Sequence, residues 1–258
     1  VELIDIVINF FTDLYSGHDI EDLRNCRFCI IYDFDPEKES QDKAQARIHH
    51  FIESLRIVRP TRASCSTLVF SIGDKGDLQP EGASQKSTTI YLTYGELVGS
   101  SHFQTRDVNK IKLYYQRVSE LYDKFQGNYN RVLNSFIFFQ LGYLTHYAKL
   151  RVVPFATALE SLFNTSEQDV GYSLRIRCAA FLGNTYSEKE SITRKVKDIY
   201  ELRSAAVHGS GLPKKVLKDP LKSNSILRDA EDLCRKCLQK IFDQNLTSIF
   251  SQPNDKLV

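Results

Sequence analysis

The sequence predicts an α+β protein: a small N-terminal α/β domain over residues 1–105, then an all-α helical bundle over 106–258. Three observations lead there. Short branched and aromatic runs cluster in the first hundred residues and read as strands. Beyond residue 107, apolar residues recur almost without interruption at helical spacing. Between the two regimes, "GSSHFQTRD" (99–107) has the polar, small-residue character of a linker.

Taken in order, "ELIDIVINFFTDLY" (2–15) carries apolar residues at helical intervals and predicts a first helix. "CRFCIIYDFD" (26–35) predicts a strand that stops at Asp35-Pro36. From Glu37 to about Val58, Ala46, Ile48, Phe51, Ile52 and Leu55 mark a helix ended by Arg59-Pro60. "STLVFSI" (66–72) and "TTIYLTY" (88–94) predict strands on either side of an exposed Gly/Pro/Asp-rich loop. The bundle follows as five or six helices. The first, 107–125, has Asp107 suited to its N-cap, and 130–150 is the most apolar. The third, 154–164, opens on Pro154, and the fourth, 171–184, closes on Gly183-Asn184. Ser187 and Glu190 have capping-box spacing at the start of 187–208, and 224–246 ends the series.

Composition narrows the function classes. At 258 residues, 42% hydrophobic and 26% charged, the chain has an ordinary globular make-up. A net charge of +2 is no global nucleic-acid signature, so any basic surface must be local. No stretch of about 18 apolar residues predicts a membrane span, and no basic-then-apolar leader opens the chain. Methionine is absent even from the first position, as expected of a fragment or a processed chain. Six cysteines are too few for a disulfide scaffold in a chain of this length, and a reducing, cytoplasmic setting is expected.

Metal chemistry is weakly represented. Cys26-x-x-Cys29 and Cys234-x-x-Cys237 have permissive spacing for zinc, but one pair sits in an apolar strand-like run and the other in mid-helix. His49 and His50 are adjacent on a helix and diverge. Asp33 and Asp35 have nothing nearby to complete a site. No phosphate-binding glycine loop, metalloprotease histidine pair or nucleophile elbow occurs. No metal and no cofactor are expected.

One stretch stands apart. "DIYELRSAAVHGSG" (198–211) puts Arg203 and His208 near the end of a helix, with Gly209 following. Five residues turn a regular helix through about 500°, leaving the two roughly 140° apart. A cationic histidine near a helix C-terminus is also a favourable dipole partner, so these residues alone allow a purely structural role. Between Arg194 and Lys218 there are seven Lys/Arg against Asp198 and Glu201, a local excess of +5. That excess suits a phosphate backbone or a solvated face equally.

The surroundings add weight. "ATALESLF" (156–163), "YSLRIRCAAFLG" (172–183) and "VKDIYELRSAAVHGSG" (196–211), in that order, resemble the Apea-like branch of the HEPN superfamily over about residues 108–246. The resemblance implies a HEPN-like bundle of four or five helices, a homodimer joined through the helix bearing Arg203 and His208, and a metal-independent endoribonuclease acting in bacterial antiviral defence or as a toxin. Its signature maps onto Arg203-x4-His208, with Ser204 as the polar residue after the arginine. RNA carries its own nucleophile, the 2′-hydroxyl. An imidazole changes charge within the physiological range and can move the protons, so His208 is the expected acid–base residue. A guanidinium stays charged and fits phosphate oxygens, so Arg203 is the expected electrostatic stabiliser. Ser204, Lys214 and Lys215 are expected to hold substrate, with Glu160 and Tyr200 in support. The expected partners are RNA and a second copy of the chain, with no membrane. The alternative is a non-catalytic HEPN dimerisation scaffold that binds RNA or nucleotides.

Overall fold

The computed structural model describes residues 38–61, 67–70, 84–87, 103–125, 130–145, 147, 150–164, 170–209, 211, 213–219 and 221–250. The chain divides into two compact units. One comprises residues 1–52 and 63–90, the other 53–62 and 91–258.

Among the described residues the class is all-α apart from one two-stranded ladder, which corrects the α+β expectation with its N-terminal α/β domain. In the first unit the described residues are the first part of helix α1 (Gln41–Val58) and a small antiparallel ladder, β1 (Thr67–Phe70) with β2 (Ser84–Ser87). Its register runs from Thr67 opposite Ser87 to Phe70 opposite Ser84. Two four-residue segments do not make a sheet layer that helices could cover. The second segment also falls inside the stretch expected to be loop. The helix expected at 2–15 and the strands at 26–35 and 88–94 lie outside the described residues.

The second unit is a helical bundle, and the end of α1 belongs to it: Ile57 and Val58 join its apolar core. A 3₁₀ turn (Thr105–Asp107) leads into α2 (Val108–Phe125), followed by α3 (Arg131–Leu144) and α4 (Val152–Phe163). Then come α5 (Val170–Leu182), α6 (Tyr186–His208), the short α7 (Lys214–Lys218), α8 (Leu221–Asp243) and α9 (Thr247–Phe250). Helix α4 is the centre. It packs on α3, α5, α6 and α8, and it buries Phe155, Ala156, Ala158, Leu159, Leu162 and Phe163. Such an all-round apolar surface is what a helix enclosed by others requires. Among the described residues, no helix is long and apolar enough to cross a membrane.

The ends differ from the sequence reading in instructive ways. Asp107 does not cap α2. It ends the 3₁₀ turn that leads into α2, accepts from the Gln104 backbone N–H at 2.8 Å and takes the Arg59 guanidinium in a fork at 2.9 and 3.0 Å. Asn130 caps α3, accepting from the N–H groups of Val132 and Leu133 at 2.9 and 3.0 Å. The capping box of α6 is Thr185 with Glu188, two residues ahead of the Ser187–Glu190 pair. Gly183 follows α5 without left-handed backbone; that conformation falls to Gly209, φ 63°, which closes α6 directly after His208.

A buried polar network fastens α1 to α3 and α8. Arg56 donates to Gln140 Oε1 at 2.8 Å, and Gln140 donates to the Glu53 carbonyl at 3.3 Å. Arg235 donates to the Arg56 carbonyl at 3.0 Å, to the Tyr143 hydroxyl at 2.6 Å and to Glu231. These bonds offset much of the cost of holding two arginines and a glutamate in a low-dielectric interior, although burial still pulls the Arg56 guanidinium below its ordinary range.

Candidate active site on helix α6

Helix α6 is oriented by a stripe of buried residues, Val196, Ile199, Leu202 and Ala205, at three-residue intervals. That stripe faces the core and puts Arg203 and Ser204 on the half-buried flanks, while His208 is exposed in the last turn. The helix stays α-helical through His208, so the roughly 140° separation of a regular helix holds. Within one chain, Arg203 turns toward α4 and His208 toward solvent.

Arg203 is the better anchored of the two. Its Nη2 donates to Glu160 Oε2 on α4 at 3.4 Å, and its guanidinium carbon lies 6.0 Å from the Tyr200 ring centroid. The bridge is longer than a good charge-assisted bond of about 2.7–2.9 Å, so the carboxylate orients the guanidinium without saturating it. Arg203 Nε is buried and has no hydrogen-bond partner. Burial pushes the Glu160 carboxyl above the ordinary carboxylate range, and the Arg203 charge only partly offsets that. Thus Glu160 and Tyr200 both touch Arg203.

The expected substrate lysines behave differently from each other. Lys214 is exposed at the start of α7. Lys215 is engaged by two carboxylates of α6: its Nζ donates to Glu201 Oε2 at 2.8 Å and to Asp198. Burial alone would lower its ammonium pKa, but the two acids outweigh it and raise it. Three further cations of the basic stretch also have acidic neighbours. Lys195 meets Asp229 at 2.6 Å, Arg194 meets Glu190 at 3.7 Å and Lys197 meets Glu201 at 3.9 Å. The +5 excess counted along the sequence is therefore largely compensated, partly by Glu190 and Asp229 from outside the counted window.

Among the described residues, no group of three His, Cys, Asp or Glu side chains could hold a metal ion. Cys178, Cys234 and Cys237 are free and buried in the core, and burial pushes the thiols of Cys234 and Cys237 far up. They are packing residues rather than nucleophiles. Cys26, Cys29, Asp33 and Asp35 lie outside the described residues. His50 is buried and His49 half-buried.

Sequence reasoning passed over two groups. The Glu231–Arg235 pair has the i,i+4 spacing of a solvated surface bridge, yet both residues are buried. Tyr172 and Arg175, read only as part of a motif, form an aromatic–cation pair on α5, its ring exposed and its cation half-buried. No protein-family model, no curated protein and no solved structure matches this chain.

Proposed function

We propose that the bundle is a metal-independent endoribonuclease of the HEPN type, in which Arg203 and His208 act on an RNA phosphodiester across a homodimer. The observation that carries the reading is Arg203 itself: a half-buried guanidinium steadied by Glu160 and Tyr200, on the helix that presents His208 to solvent. His208 takes the 2′-hydroxyl proton, the 2′-oxygen attacks phosphorus, and the 5′-oxygen leaves with a proton from the second protomer's histidine. Arg203 stabilises the extra negative charge on the phosphorane. Because the two side chains of one chain diverge, a twofold pairing is what lets a histidine and an arginine meet one phosphate. The biological role we assign, RNA cleavage in defence or as a toxin in the cytoplasm, rests on the motif resemblance alone.

A second reading is favoured by the ion pairs. Arg203 is bridged to Glu160, and Lys215 is held by Asp198 and Glu201. A scaffold that dimerises or binds RNA without cutting it would make the same contacts. Cleavage of a single-stranded RNA in EDTA separates the two. The nuclease reading expects His208→Ala to slow cleavage by about 10²–10⁴-fold and Arg203→Ala by about 10²–10³-fold, with unchanged circular dichroism. Equal rates in wild type and both variants would leave the scaffold.

A further inference from the structure

We propose that Tyr172 and Arg175 on α5 form a base-stacking platform that feeds single-stranded RNA to Arg203; this rests on the ribonuclease reading above. Tyr172 is 61% exposed, and Ile176, one turn further on, is 45% exposed. An aromatic ring left exposed beside an exposed aliphatic side chain is apolar surface that a ligand can cover. Between them, Arg175 is fixed. Its Nε donates to the Gly171 carbonyl at 3.0 Å, and its guanidinium carbon lies 5.7 Å from the Tyr172 ring centroid. The cation is thus set against the ring before any ligand arrives.

The pair is continuous with the candidate active site. Gly171, next to Tyr172, approaches the Tyr200 ring so closely that a Cβ there would lie 3.1 Å from Tyr200 Cε1. Tyr200 in turn carries the Arg203 guanidinium 6.0 Å from its ring centroid. Two tyrosines flanked by two arginines therefore run from the exposed edge of α5 to the residue assigned to the phosphate. Rings with cations beside them suit an unpaired strand, whose bases stack on aromatic faces while its phosphates meet guanidinium groups. A duplex keeps its bases stacked on each other and gains nothing from Tyr172.

The test measures binding without cleavage. A fluorescent 2′-O-methyl oligoribonucleotide, which lacks the attacking hydroxyl, is titrated by anisotropy against wild type, Tyr172→Ala and Tyr172→Phe, beside a blunt RNA duplex. Stacking on one base makes Tyr172→Ala weaken single-strand binding by about 5–100-fold, leaves Tyr172→Phe near wild type and leaves duplex binding unchanged. Unchanged single-strand affinity in Tyr172→Ala, or equal loss on single strand and duplex, overturns the platform while the nuclease reading stands. A wild type that binds neither RNA overturns both. If Tyr172→Ala changes the oligomeric state in size-exclusion chromatography and not the RNA affinity, the face is a protein contact and the platform is refuted.

Discussion

Replacing Glu53 by glutamine should flatten the pH dependence of stability. Glu53 lies on the part of α1 that belongs to the bundle; its Oε2 is buried without a hydrogen-bond partner. The Tyr122 hydroxyl bonds the carboxyl and Arg56 is close by, but burial outweighs both and raises its pKa from 4.5 to about 7. A raised acid holds its proton longer in the folded state than in the unfolded one. Its contribution is therefore fully present below pH 4.5 and lost as pH rises through about 7. At about 1.4 kcal/mol per pH unit, the loss is about 1 kcal/mol at pH 5 and on the order of 3 kcal/mol at pH 8. Glutamine mimics the neutral acid at every pH. Relative to wild type, Glu53→Gln should thus gain on the order of 2 kcal/mol between pH 5 and pH 8. At about 2–4 °C per kcal/mol, that moves Tm by roughly 4–8 °C. Thermal melts followed by circular dichroism at both pH values read it directly, and subtracting the two proteins cancels every other titrating group. Parallel profiles for wild type and Glu53→Gln would refute the burial of this carboxyl and the reasoning built on it.

Two further outcomes follow from packing and charge. Gly142→Ala on α3 should destabilise by about 1–3 kcal/mol in urea unfolding, because the new Cβ would lie 2.8 Å from Phe155 Cδ1 and closer still to Cε1 and Cζ. A loss under about 0.5 kcal/mol would mean that α3 and α4 are not in this contact. Lys215→Ala should cost only about 0.5–1 kcal/mol, since its pairs with Asp198 and Glu201 are partly exposed, and 1 M salt should erase most of the difference.

The helices of the bundle were legible because each carries its core face as a periodic stripe, and that signal is local. Their exact ends were less so: Thr185–Glu188 and Ser187–Glu190 both have capping-box spacing, and only the backbone path selects the first. Among the described residues the α/β expectation fails at the level of class: the branched run at 66–72 does supply β1, but it pairs only with the four residues of β2, and α1 sends Ile57 and Val58 into a helical core. The pairing of Arg203 with Glu160 spans 43 residues, and that of Arg56 with Gln140 spans 84, so neither leaves a trace in spacing. Lys215 illustrates the same limit for charge. Counting it as free cation ignored that α7 returns it to Asp198 and Glu201. The Arg203–His208 motif was readable as a pattern, whereas the divergence of its two side chains follows only once α6 is seen to stay helical to its last residue.

The most direct measurement of the central claim is end-group analysis of RNA incubated with the wild-type protein in excess EDTA. Attack by the 2′-hydroxyl predicts fragments ending in a 2′,3′-cyclic phosphate with 5′-hydroxyl partners, and none from His208→Ala. Intact RNA, cleavage that requires added metal, or fragments with 5′-phosphates would contradict it.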